Sequence, residues 1–137
     1  MENISVYQSK NQNIFWNSEK EYINSVWISD ENISEIEHRL EMDNYFDIIL
    51  NYKPKFILAD GLNSNRPISV EMQEWIAEIH FSKYTEVGVR KLAILMSRNV
   101  ATSLSIVQSV EEYDENHINW ETKYFYDKNL ALDWLGI

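Results

Sequence analysis

The sequence predicts an α/β domain on a mixed sheet of about five strands, an N-terminal antiparallel hairpin followed by parallel βα units with covering helices. Three observations lead there. Two short runs, Phe56-Ile57-Leu58-Ala59 and Leu92-Ala93-Ile94-Leu95-Met96, are apolar without polar alternation, as strands covered on both faces require. Segments of helical periodicity separate these runs, and strands alternating with helices imply parallel pairing through right-handed crossovers. Nearer the start, Asn13-Ile14-Phe15-Trp16-Asn17 and Tyr22-Ile23-Asn24-Ser25-Val26-Trp27-Ile28 flank the polar Ser18-Glu19-Lys20-Glu21, a hairpin pattern rich in β-branched and aromatic residues.

Taken in order, Ile4, Val6 and Gln8 give a weak alternating signal ahead of the hairpin. After it, Ser29 and Asp30 offer oxygens to cap a helix whose first turns are acidic. Ile33, Ile36 and Leu40 make one stripe; Met42, Tyr45, Phe46, Ile49 and Leu50 make a second, rotated from it. The phase change predicts either a long helix broken between Leu40 and Asn44 or two consecutive pieces, closed by Pro54. The polar loop Asp60 to Arg66 follows the first apolar run. Pro67 and Ser69 then open a helix with Met72, Trp75, Ile76 and Ile79 inward. Gly88 ends the connection to the second run. Asn99 to Glu112 reads as a helix with Leu104, Val107 and Val110 inward. Trp120 to Tyr126 alternates like a strand near the sheet edge, and Asp127 caps a last helix carrying Leu130, Ala131, Trp134 and Leu135.

Composition narrows the function classes. The 137 residues suit one domain, residues 1–137, and carry a net charge of −10, which argues against nucleic acid and against an anionic membrane surface. Cysteine is absent, so disulfides, thiolate metal sites and a cysteine nucleophile are excluded. The opening residues lack a secretory pattern and no apolar stretch is long enough to span a bilayer, so the expectation is a soluble, cytoplasmic domain. Acids concentrate between Glu19 and Asp47, nine against Lys20 and Arg39, and again at Glu111, Glu112, Asp114 and Glu115. They read as solubilising faces.

The run Tyr52-Lys53-Pro54-Lys55-Phe56-Ile57-Leu58-Ala59-Asp60 resembles the bacterial STAS-like domains of the SpoIIAA-like superfamily. So do Ile68-Ser69-Val70-Glu71-Met72-Gln73-Glu74-Trp75-Ile76 and Lys91-Leu92-Ala93-Ile94-Leu95-Met96-Ser97. The closing Tyr124-Phe125-Tyr126-Asp127 with Ala131, Trp134 and Leu135 is similar to that group's last strand and helix. The likeness runs from Ile14 to Leu135. It implies a small β/α superhelix that works by docking to partners or small ligands rather than by catalysis. Well-known relatives are switched by phosphorylation of a serine at a helix start, which would fall at Ser69. The switch motif there has Asp before the serine and Gly soon after, whereas this chain has Ile68 and Val70-Glu71-Met72. The fold and interaction role therefore carry over and the phosphoswitch does not.

Candidate chemistry centres on the loop at the carboxyl end of the first apolar strand. Open α/β sheets place crevices there, and a helix start favours anions. The ligand- or partner-binding residues expected are Asp60, Asn63, Ser64, Asn65, Arg66 and Ser69. Ser69 also suits a helix N-cap. His38, His80 and His117 lack the spacing that presents two ligands to one metal, and Glu35, His38 and Glu41 read as a solvated helix face. No GxSxG elbow, Walker loop, GxGxxG turn or framed carboxylate pair occurs, so no catalytic residue, cofactor or metal is assigned. The leading expectation is a non-enzymatic regulatory or interaction module binding a protein partner, or a small anionic or apolar ligand, near loop 60–69. The alternative is a lipid or small-molecule carrier with an apolar cavity between helices and sheet. A homodimer through the aromatic strand edge is compatible with both.

Overall fold

Alternation of side chains along two central strands organises the whole molecule. The computed structural model describes residues 3–114 and 119–137, so Glu115 and His117 lie outside the described residues. The strands are β1 (Ile4–Gln8), β2 (Gln12–Asn17), β3 (Tyr22–Trp27), β4 (Phe56–Asp60), β5 (Lys91–Leu95) and β6 (Glu121–Phe125). The helices are α1 (Glu35–Tyr52), α2 (Val70–Ile79), α3 (Ser82–Val87), α4 (Val100–Asp114) and α5 (Lys128–Leu135). The strands lie in sequence order across one sheet, antiparallel from β1 to β3 and parallel from β3 to β6.

Crossovers that each advance one strand with the same hand return to the same face. α1 to α4 accordingly share one face, packing Tyr45, Phe46, Ile49, Met72, Ile76 and Tyr84 on Ile57, Leu92 and Ile94. α5 covers the other face, setting Ala131 and Leu135 on Leu58, Ala93, Leu95 and Phe125. β4 and β5 thus feed two cores, which is why their sequences lack polar alternation. Among the described residues no helix is long and apolar enough to cross a membrane.

The sheet has six strands rather than about five, because the weak signal at Ile4–Gln8 is a true edge strand. A register shift between Ser5 and Tyr7 turns Tyr7 toward the helical face and leaves Ile4 exposed. α3, ended by Gly88 at φ +81°, has no counterpart in the sequence reading.

Four expectations about helix faces need correction. α1 is one continuous helix, capped by Ser34, whose oxygen accepts from Glu37 N–H; Asp30 instead accepts from Asn32 N–H in a turn. Its buried face is His38, Glu41, Tyr45, Phe46 and Ile49, a single unbroken stripe, whereas Ile36 is 84% exposed and Leu40 also faces out. The apparent phase change arose from counting those two as core. Glu35, His38 and Glu41 are likewise not a solvated face, since the last two are buried. Glu41 tolerates burial because its carboxylate accepts from Gln12 Nε2 (2.8 Å), Ser9 Oγ (2.9 Å) and the Tyr7 hydroxyl (3.1 Å). In α2, Ile79 is exposed and Gln73 is buried, donating to the Ile68 carbonyl. In α4, Leu104 is exposed and Thr102, Ser103, Ser105 and Ser109 face inward. Three of those hydroxyls donate to nearby carbonyls, Ser103 to Ser97, Ser105 to Thr102 and Ser109 to Ser105, which lets a polar helix face be buried.

Candidate functional site

The β4–α2 loop is pinned from three directions. The Asn65 N–H donates to the Ser29 carbonyl, the Ser97 hydroxyl donates to the Ser64 carbonyl at 2.5 Å, and Gly61 N–H donates to the Leu95 carbonyl. A Cβ on Gly61 would stand 3.1 Å from that carbonyl, so the close approach suits glycine.

The six expected residues separate. Asp60 ends β4 on the α5 side, paired with Val26, and accepts from Leu62 N–H. Burial first, and the Asp60 charge second, push the Tyr22 phenol well above its usual range. Asn63 and Asn65 are exposed. Ser69 caps α2 by accepting from Met72 N–H and donates its proton to the Glu35 carboxylate, which holds that carboxyl below its ordinary value. Only Ser64 and Arg66 reach a common place, a cavity of about 110 Å³ between the sheet and α1, α2, α3 and α4.

That cavity has two unlike ends. At the carboxyl ends of the strands it meets Trp27, His38, Gly61, Ser64, Arg66 and Thr102; toward the amino ends it is closed by Phe46, Phe81, Tyr84, Leu92 and Val110. Lining residues that keep some exposure, such as Trp27, Arg66 and Ile68, sit at the first end, and those closing the second are buried. The Tyr45 and Tyr84 hydroxyls bond each other at 2.8 Å at the deep end, and burial raises both phenols.

The polar end is not satisfied in the same way. Among the described residues the Nδ1 of His38, which is 4% exposed, has no protein partner, and the Oγ1 of Thr102, which is 1% exposed, has none. Burial first, then the Arg66 charge, lower the His38 pKa to about 4 against an opposing pull from Glu35, so the ring is neutral at pH 7. Arg66 donates from Nε to the Ile33 carbonyl (3.1 Å) and from Nη1 to the Pro67 carbonyl (3.3 Å). No carboxylate lies within ion-pair distance of it among the described residues. Nor do three His, Asp or Glu side chains gather as a metal site among them.

From sequence His38 reads only as part of a solvated helix face, and Thr102 is not singled out. A signal for His38 existed: stepping back from Ile49 at helical intervals reaches Tyr45, Glu41 and His38. Thr102 had none. His80 lies elsewhere, stacked on Phe46 and bonded to Asp43 (2.8 Å) and Lys83 (2.9 Å). The chain matches no protein-family model, no curated protein and no solved structure.

Proposed function

We propose that the protein is a cytosolic, non-enzymatic module of the STAS-like kind that binds a small molecule in the cavity between its helices and sheet. One observation carries this reading. His38 and Thr102 line a largely apolar cavity, and each carries a buried polar atom, Nδ1 and Oγ1, that has no protein partner among the described residues. Unpaired buried polar groups each cost about 1–3 kcal/mol, an expense that a ligand's polar end relieves. The parallel strands in sequence order, each followed by a helix, support the β/α superhelix that the resemblance implies. The volume favours a small molecule over a two-chain lipid, since pockets for drug-sized ligands already reach about 300–1,000 Å³.

Native mass spectrometry of the purified chain and of Ala59→Leu, which projects an isobutyl group into the cavity, tests the reading. A small adduct on the unmodified chain that is lost from Ala59→Leu supports it. An adduct retained by both places the ligand elsewhere.

A protein partner over the same end of the molecule is the second reading. Ile36, Leu40 and Val70 are exposed where the Glu35–Ser69 bond joins the starts of α1 and α2. Loss of a captured partner in Ile36→Glu/Val70→Glu, with the fold unchanged by circular dichroism, would support it.

A further inference from the structure

We propose that the cavity takes a small monocarboxylate, with the carboxylate against the Arg66 guanidinium and beside Thr102 and His38, and a compact apolar body toward Phe46 and Leu92. This rests on reading the cavity as the ligand site, and it adds the ligand's chemical class.

The charge argument begins at Arg66. Two backbone carbonyls fix the guanidinium in place, yet carbonyl dipoles do not neutralise it, and Nη2 has no protein acceptor among the described residues. A half-buried guanidinium at the rim of an apolar chamber attracts an anion, and its planar fork matches a carboxylate. Thr102 Oγ1 adds a hydroxyl donor. The neutral His38 ring adds an N–H whose position the bound anion can select.

The same surroundings limit the anion to one charge. Arg66 is the cation among the lining residues, and the Glu35 carboxylate is close enough to act on both Arg66 and His38. A dianion such as a phosphate monoester would meet that negative charge with only one cation to offset it. The opposite end holds Phe46, Phe81, Leu92 and Val110, and the Tyr45 and Tyr84 hydroxyls there bond each other, so the rest of the ligand is apolar. Size follows from comparison: an apolar cavity of about 150 Å³ accommodates benzene. A chamber of about 110 Å³ is smaller than that, so it suits a body of roughly four or five carbons with the carboxylate at the rim.

Isothermal titration calorimetry at pH 7 with pentanoate and hexanoate, against 1-pentanol, 1-hexanol and hexyl phosphate, tests this. The unmodified chain should bind the two carboxylates at least tenfold more tightly than the matching alcohols and more tightly than hexyl phosphate. Arg66→Gln should erase the preference for carboxylate over alcohol, Arg66→Lys should retain part of it, and Ala59→Leu should weaken every ligand. Equal affinity for hexanoate and hexanol overturns the carboxylate assignment and leaves the cavity reading standing, as does tighter binding of the phosphate. No binding of any probe by the unmodified chain, or binding undiminished in Ala59→Leu, overturns both. The comparison between acid and alcohol needs no variant, so a poorly folding Arg66→Gln does not remove the test.

Discussion

Replacing Thr102 by valine should make the unliganded protein more stable. Valine keeps the β-branched shape and has nearly the same helix propensity, so the exchange isolates one hydroxyl. Thr102 is 1% exposed, and its hydroxyl has no protein partner among the described residues. Leaving such a group unpaired costs about 1–3 kcal/mol, and a solvent molecule in the cavity would recover part of it, so Thr102→Val should gain about 1 kcal/mol. At about 2.1 cal/mol/K of unfolding entropy per residue, a chain of 137 residues should melt about 3 °C higher. Ser103→Ala supplies the contrast one position along. Its hydroxyl donates to the Ser97 carbonyl at 2.7 Å, so its removal should lose about 1 kcal/mol. Urea unfolding followed by tryptophan fluorescence reads both. Opposite signs support the reasoning; a Thr102→Val chain destabilised by more than 1 kcal/mol would mean the hydroxyl is partnered, and the polar end of the cavity would lose its meaning.

Acidification should act through His38. Its folded pKa near 4 lies below the ordinary 6.5, so between those values only the unfolded chain takes up the proton and stability falls as pH drops. The full gap corresponds to about 3 kcal/mol, of which about 2 is expressed between pH 7 and pH 5, and His38→Gln should flatten that part of the profile; equal slopes in the two chains would refute the burial of a neutral ring. Glu41→Ala should cost about 3 kcal/mol, because Gln12, Ser9 and Tyr7 lose their shared acceptor, and a chemical-denaturation change below 1 kcal/mol would contradict the buried network. Ile36→Glu should change the unfolding midpoint by less than about 0.5 kcal/mol and Phe46→Ala should cost about 3–5 kcal/mol, separating the exposed and buried sides of α1.

What the sequence foretold correctly was local. The hairpin, the two doubly covered strands and the caps at Ser69 and Asp127 depend on patterns within a few residues, and the structure reproduces them. The face of α1 was misread because Glu41 is buried by donors from β1, β2 and the turn between them, about 30 positions away in the chain. The face of α4 was misread because serine looks solvent-facing until its hydroxyl bonds back to its own helix. The site suffered for a related reason. Loop position identified Ser64 and Arg66, but alternation along β4 sent Asp60 to the α5 face, and capping engaged Ser69. A cavity is a gap between elements, so no single stretch of sequence announces it, and His38 and Thr102 acquire their role only when α1 and α4 close around it.

Methyl-resolved NMR during a titration with hexanoate locates the ligand. Saturable shifts at Ile76, Leu92, Ile94 and Val110, with Ile36, Ile79 and Leu104 unmoved, are what a ligand between helices and sheet must give. Shifts confined to the exposed methyls, or none at saturating hexanoate, would contradict it.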